Sequence, residues 1–352
     1  MEETIIPKKQ TVERSFFTLD GVARKDRFDV WKDSISCIYD VDAPRDIRSE
    51  DFAANLTSWR HQDMLMIQAQ SRSQRFVRSS QMFARDGMDH YNIQIYTDGV
   101  VQSELGRGGT SLGHGGGFLL LDCAQHTEAQ TSEFDSLHLF IPRQPLEERL
   151  INPDDHNLRF LTANDPIVRL AHDQIMTLHN NIDFLEDDQI AVLKQTIVML
   201  LANSMNSAYR ETAEMHAQRQ DIEKQVMIRR YFRDNLLSPD LTPEKAASDL
   251  GVSRAALYRL FDAYGGVKNH VRDMRLKHGL KLLNDPKQVH RSVYDIGLEC
   301  GYTSDASFIR AFRAKYDITP GDVRAGHRPT PAAKRVSNAI DTRYENWLHS
   351  LG

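Results

Sequence analysis

One pattern of side chains occurs twice in the last third of this chain, and any fold must house both copies. Reading forward from Ala247, Gly251 comes four places later, followed by Ser253, Leu257, Arg259 and Phe261. From Gly297 the order recurs as Gly301, Ser304, Phe308, Arg310 and Phe312. Each copy runs serine, three residues, a large apolar residue, one residue, arginine, one residue, phenylalanine, and the two arginines stand 51 positions apart. Such an internal repeat means one supersecondary unit built twice.

A helix-turn-helix meets these constraints. Ala247 and Gly297 are small enough for the first helix to lie close against the second, and Gly251 and Gly301 supply the positive φ that a tight turn requires. Ser253 and Ser304 are N-caps. Positions four and eight after each serine share a helix face, which turns Leu257 with Phe261, and Phe308 with Phe312, toward a core. Arg254, Ala255, Tyr258 and Arg259, then Asp305, Ala306, Ile309 and Arg310, fall toward the other side. An arginine there can grip guanine or phosphate. A single copy reads equally well as an ordinary amphipathic hairpin with solvated arginines; two copies with matching offsets favour a nucleic-acid reader.

The segment from Ile228 to Arg328 resembles the DNA-binding domain of the AraC/XylS transcriptional regulators, most closely in SVYDIGLECGYTSDASFIRAFRAKYDITPGDVR, Ser292 to Arg324. The resemblance implies a seven-helix, homeodomain-like domain whose two recognition helices enter successive major-groove faces. A long central helix, here about Lys268 to Leu283, would hold them apart and end at Asn284, Asp285 and Pro286. It implies DNA contacts from Ser253, Arg254, Ala255, Tyr258 and Arg259 in the first copy, and from Ser304, Asp305, Ala306, Ile309, Arg310 and Arg313 in the second. Asp262, Asp317 and Val323 depart from the family pattern. Asp262 stands where a basic residue is usual, and Asp317 where glycine is usual, although aspartate tolerates the left-handed conformation.

At 352 residues the chain can build two cores. Its net charge of -5 is unevenly spread: Lys224 to Arg328 holds 19 basic against 12 acidic residues, a balance of +7, which leaves -12 elsewhere. A basic module on an acidic partner is expected when only one domain meets phosphate. Cys37, Cys123 and Cys300 are odd in number and widely spaced, so they form neither a disulfide framework nor a zinc pattern, and a reducing cytoplasm is expected. No run approaches the ~18 apolar residues that span a bilayer.

The chain divides by pattern into an arm over residues 1–21, a sensing and dimerisation domain over 22–210, a polar linker over 211–221, the DNA-binding domain over 222–328 and a tail over 329–352. The stretch from Arg27 reads as a short helix with Phe28, Trp31 and Ile35 on one side. Between about Phe52 and Pro142, short alternating runs such as LMIQAQS, YNIQIYT, GGFLLLDC and LHLFIP read as strands of a barrel or sandwich. Leu137, Leu139 and Ile141 share one face of their strand, and Ile93 and Ile95 likewise share one face of theirs. The cluster GRGGTSLGHGGG lacks the Lys and Ser/Thr of a P-loop and reads as hairpin turns. His90, His114, His126 and His138 raise the possibility of a metal-dependent cupin, but no His-x-His pair supports it.

This half is similar to the sensor domains of a subgroup of the same regulators, through RFDVWKDSI, ARDGMDHYNIQIYTDG and GGFLLLDCAQ. The similarity implies a cupin-like barrel that holds a small organic effector, with aromatic compounds among the choices, and Trp59, Phe83, His90, Tyr91 and His138 are the pocket candidates. Farther on, Ile190, Leu193, Ile197, Leu200 and Leu201 form an apolar stripe. It serves either a dimer seam or packing on its own barrel. In the tail, Ile340, Tyr344, Trp347, Leu348 and Leu351 line one helical face, to cap a domain or to meet a partner.

The expected fold class is α+β in two domains: a cupin-like β-barrel with flanking helices, then an all-α double helix-turn-helix. The expected function is a cytoplasmic, homodimeric DNA-binding regulator, an activator rather than a repressor, with no catalytic residues, cofactor or metal. Its partners would be double-stranded DNA, a small effector and, if it activates, RNA polymerase. Two rivals are a metal-dependent cupin enzyme with a helical appendage and a DNA-binding regulator that needs no effector.

Overall fold

A computed structural model describes residues 12–49, 52–106, 110–210, 227–262, 265–326 and 340–351. The first domain contains strands β1 (Glu13–Thr18), β2 (Asp40–Asp42), β3 (Ala54–His61), β4 (Met64–Ser71), β5 (Arg75–Arg78) and β6 (Tyr91–Asp98). It continues with β7 (Val100–Gln102), β8 (Ser111–Gly113), β9 (Gly117–Asp122), β10 (Thr127–Thr131), β11 (Phe134–Ile141) and β12 (Arg159–Thr162). Its helices are α1 (Arg27–Ile35), α2 (Arg45–Ser49), α3 (Ser80–Asp86), α4 (Arg143–Glu147), α5 (Pro166–Asn181) and α6 (Asp187–Arg210).

Seven strands form one antiparallel sheet in the order β1-β3-β4-β11-β6-β9-β12, and five form a second in the order β2-β5-β10-β7-β8. The core between them takes Val41, Leu56, Ile67, Tyr96, Leu121, Ala129 and Phe140, with Phe28 and Trp31 of α1. The alternation in β6 and β11 sends Ile93, Ile95, Leu137, Leu139 and Ile141 to the opposite face, where α5 and α6 cover them. The apolar residues legible in the sequence thus belong to the outside of the barrel. Its interior receives their neighbours, a consequence of the period of two.

Two expectations change here. Within the supposed arm, residues 13–18 are β1, paired along its length with β3 and buried at Ser15 and Phe17. The apolar stripe of α6 packs inward: Ile190, Ile197 and Leu201 are at most 1% exposed in the cluster beneath α5, so they are unavailable to a partner, while Leu193 and Leu200 are half-buried. The reason is that the outer face of the large sheet has to be covered by its own chain. The linker expected at 211–221 lies outside the described residues.

The second domain has seven described helices: residues 227–234 (α7), α8 (Pro243–Asp249), α9 (Arg254–Leu260), α10 (Val267–Asn284), α11 (Val293–Glu299), α12 (Asp305–Tyr316) and α13 (Pro320–Gly326). α10 divides its service between two cores: Val267 packs in the cluster with Leu257 and Phe261, and Leu276, Leu280 and Leu283 in the cluster with Phe308 and Phe312. It ends at Asp285, whose carboxylate accepts from the Lys287 amide at 2.8 Å before Pro286 diverts the chain.

A last helix, α14 (Arg343–Ser350), crosses back to the first domain. Tyr344, Trp347, Leu348 and Leu351 are each at most 5% exposed, inside the barrel's own core cluster. The tail therefore caps a domain, but one that is distant in sequence.

Candidate nucleic-acid interface and sensor cavity

Local chemistry builds α9 and α12 alike. Ser253 caps α9 by accepting from the Ala256 amide at 3.1 Å, and Ser304 caps α12 by accepting from that of Ser307 at 3.3 Å. Gly251 and Gly301 adopt φ of 61° and 81° at the two turns. At Gly297 a Cβ would approach the Phe308 ring to 3.2 Å, so a larger residue there would require that ring to give by a few tenths of an ångström. Leu257, Phe261, Phe308 and Phe312 are fully buried.

The outward sides carry the sequence-derived residues. Ser253, Arg254, Ala255, Tyr258 and Arg259 are exposed on the first helix, as are Ser304, Asp305, Ala306, Arg310 and Arg313 on the second; Ile309 is half-buried. Arg254 is drawn to Glu244 of α8 at 2.8 Å. Asp317 takes the left-handed conformation at the end of α12, with φ of 58°, so aspartate does the work of the usual glycine. Val323 is wholly buried. Of the helices between the two readers, α10 has 18 residues, which at ~1.5 Å each is roughly 27 Å, the order of one DNA turn.

The five pocket candidates of the barrel do not come together. His138 alone lines the interior void, with Tyr39, Gln94 and Tyr96, beneath Tyr344 and Leu348 of α14. Trp59 and Tyr91 lie on the opposite side of the large sheet, Trp59 edge-on to His179 at 5.0 Å and Tyr91 donating to the Pro153 carbonyl at 3.1 Å. Phe83 points from α3 into the second DNA-binding core. His90 is spent on the tail, its Nε2 donating to the Leu348 carbonyl at 3.1 Å. Alternation is the reason: choosing the aromatic and histidine residues of β6 without fixing the inward face selects Tyr91 in place of Gln94 and Tyr96.

Tyr39, Gln94 and Tyr96 were the missed signal. The Tyr96 hydroxyl donates to Gln94 Oε1 at 3.2 Å, and Asn92 Nδ2 donates to the Tyr39 oxygen at 3.2 Å. Burial lowers the His138 imidazole from 6.5 to about 4, so it is neutral, with Ser136 Oγ 2.9 Å from its Nε2. The void measures about 50 Å³ and no charged side chain lines it. Among the described residues, no group of three or more His, Cys, Asp and Glu side chains is placed to hold a metal.

A second, larger space of about 510 Å³ separates the domains beneath α10. Arg143 reaches Asp122 and Asp154, each at 2.7 Å, and Lys277 of α10 reaches Asp154 at 2.9 Å. Burial alone would raise the Asp154 carboxyl, but Lys277 and Arg143 hold it far below the ordinary carboxylate range. Lys281 pairs with Asp89 at 2.9 Å, and Arg229 of α7 bonds to Asn152. The pairs between the domains do not stand out in the sequence, because Lys277 and Asp154, Lys281 and Asp89, and Arg229 and Asn152 are each more than 70 positions apart.

A barrel joined to a double helix-turn-helix, with ion pairs between them, is the build of a two-domain transcription regulator. A helix-turn-helix domain model matches residues 246–326, and an AraC-binding-like domain model matches residues 39–205. The chain belongs to the AraC/XylS family of transcriptional regulators. It is 34% identical over 83 residues to the HTH-type transcriptional regulator MtrA of Neisseria gonorrhoeae, covering 23% of this chain and 27% of that protein. It is 24% identical over 258 residues to the transcriptional activator NphR of a Rhodococcus species, covering 71% and 74%. Matches to the first curated relatives span only 27–33% of their lengths. In fold it is similar to the AraC-like transcriptional activator CuxR, with a TM-score of 0.53, 24% identity, and coverage of 76% of this chain and 94% of that one. No described helix is long and apolar enough to cross a membrane.

Proposed function

We propose that the chain regulates transcription by binding duplex DNA through α9 and α12 and responds to a small organic molecule held in the barrel. The observation that carries the DNA reading is the matched pair of capped helices that present Arg259 and Arg310 at the same offset from their caps. Phosphate neutralisation by the basic domain supplies most of the affinity, and base contacts supply the selectivity. Activation, through contact with RNA polymerase, is the direction favoured by the similarity to NphR, an activator by name.

Dimerisation is proposed on the outward side of α6, where Val192 and Met199 are 62% and 58% exposed beside the half-buried Leu193 and Leu200. Val192→Asp with Met199→Asp should then give monomers in sedimentation, whereas an unchanged dimer would move the interface elsewhere.

A regulator without an effector is the second reading, and the small size of the barrel void favours it. A cavity of about 150 Å³ takes a benzene ring; this one is about 50 Å³.

Selection of genomic fragments by the purified full-length protein near physiological salt, followed by footprinting, tests the DNA reading. Two major-groove contacts about one turn apart on one face of the DNA are expected. Absence of salt-sensitive enrichment, with and without candidate effectors, would overturn it.

A further inference from the structure

Part of the wall of the barrel void is made by neither matched domain. Tyr344 and Leu348 of α14 supply it, and they follow residues 246–326 of the helix-turn-helix domain. The rest of the lining is mainly aromatic and aliphatic, with the Tyr39, Tyr96 and Thr127 hydroxyls, the Gln94 amide and the neutral His138 among its polar groups. These groups can accept from or donate to a hydroxyl, amide or ring nitrogen, and they offer no counter-charge to an ion.

Polar bonds hold α14 at its rim. Ser34 of α1 bonds to the Tyr344 hydroxyl and donates to Glu345 at 3.3 Å. Asp341 accepts from the Phe16 amide at 3.2 Å, and Arg343 donates to the Arg14 carbonyl at 2.6 Å, both on β1. Ordinary hydrogen bonds of this kind are individually modest in net worth, so the four buried apolar side chains of this eight-residue helix supply most of what holds it. The His90 bond to the Leu348 carbonyl adds a route outward. The preceding residue, Asp89, pairs with Lys281 of α10.

We propose that α14 is an internal plug of the sensor cavity, so that a neutral aromatic molecule and the Tyr344–Leu348 face compete for the same space. The inference rests on the reading of the barrel as the effector site, and it reconciles that reading with the small void: the cavity of about 50 Å³ is what remains while the plug is seated. Withdrawal of α14 enlarges it and releases His90, one residue from an ion pair that ties the sensor to α10. Binding is then weakened by the fraction of molecules in which the plug is seated, as for any site available only in a minor state.

The test uses the full-length chain and N-phenyl-1-naphthylamine, an uncharged aromatic fluorophore. Tyr344→Ala with Leu348→Ala should tighten its binding about tenfold or more, and saturating probe should raise hydrogen exchange at residues 343–350 of the native chain. Equal affinity in both proteins, with exchange of α14 unchanged by the probe, would overturn the plug and leave the barrel as an effector site. Failure of the folded double variant to bind the probe would overturn the barrel reading for neutral aromatics and the plug with it. Should that variant lose its near-ultraviolet dichroism, Arg343→Ala takes its place. It removes the bonds to Asp341 and Arg14 and the guanidinium's contact over the Trp347 ring at 5.7 Å, and the same two readouts apply, with a gain of about threefold expected and no gain counting against the plug.

Discussion

The two copies of the repeat have the same plan and are closed by different parts of the molecule. In the first, Leu257 and Phe261 pack with Ile228 and Phe232 of α7 and with Val267, all from the DNA-binding domain. In the second, Phe308 and Phe312 pack with Leu276, Leu280 and Ile296, and then with Phe83 and Ala84 from α3 of the sensor. Phe83 lies edge-on to Tyr316 at 5.9 Å, while Gln81 donates to Asp317 at 2.8 Å, where α12 ends. Among the described residues, the first reader's core cluster takes no sensor residue, and the reader meets the sensor through polar contacts such as Arg229 with Asn152 and Arg233 with Glu148. One reader therefore completes its own core, and the other borrows part of its core from the domain that would sense. A displacement of α3 would reach the second reader directly.

Phe83→Ala should break the comparison most forcefully. Truncation of a buried phenylalanine costs about 3–5 kcal/mol, and here the loss should appear in one reader: hydrogen exchange should rise in α12 and α13 while α8 and α9 keep their protection. Equal loosening of both would mean that the two copies fold as one unit.

Arg310→Ala and Arg259→Ala compare the readers on DNA. Each should cost about 1–3 kcal/mol of specific binding if the guanidinium grips a base edge, and each should relax preference at a different half of the footprint. A uniform loss across all sequences would make the residue a phosphate contact. A smaller effect is expected from the caps: Ser253→Ala and Ser304→Ala should each lower stability by about 0.5–2 kcal/mol. The second should be partly offset by the Phe83 contact in full-length protein, as denaturation of each variant would show.

Acid should separate the readers most gently. His270 of α10 lies 4.6 Å from the Phe261 ring in the first reader, and burial, assisted by Arg229 and Lys277, lowers its imidazole from 6.5 to about 4. A histidine lowered in this way is held neutral by the fold. Its stabilisation is complete above pH 6.5 and is lost as pH falls toward 4. Exchange should therefore rise around Phe261 before it rises around Phe312, and His270→Asn should flatten that difference.

Much of the double helix-turn-helix was legible in the sequence. Caps, left-handed glycines and apolar residues four apart act within a turn or two of helix, so Ser253, Gly301 and Phe308 announce themselves by spacing alone. The central helix ran only one residue farther at each end than its expected limits of Lys268 and Leu283. The pocket was much less legible. Of Trp59, Phe83, His90, Tyr91 and His138, only His138 reaches the void, since alternation shows that a strand has two faces without showing which one is enclosed.

Sequence by itself determined the paired helix-turn-helix, because the forces that shape each copy are short-ranged. Three things waited for the tertiary structure: the burial of the α6 stripe on its own barrel, the loan of Phe83 to the second reader, and the return of α14 to the sensor. Each joins surfaces far apart in the chain. Burial of apolar area is non-directional, so it favours any cover that fits, and only the assembled shape decides which segment that is.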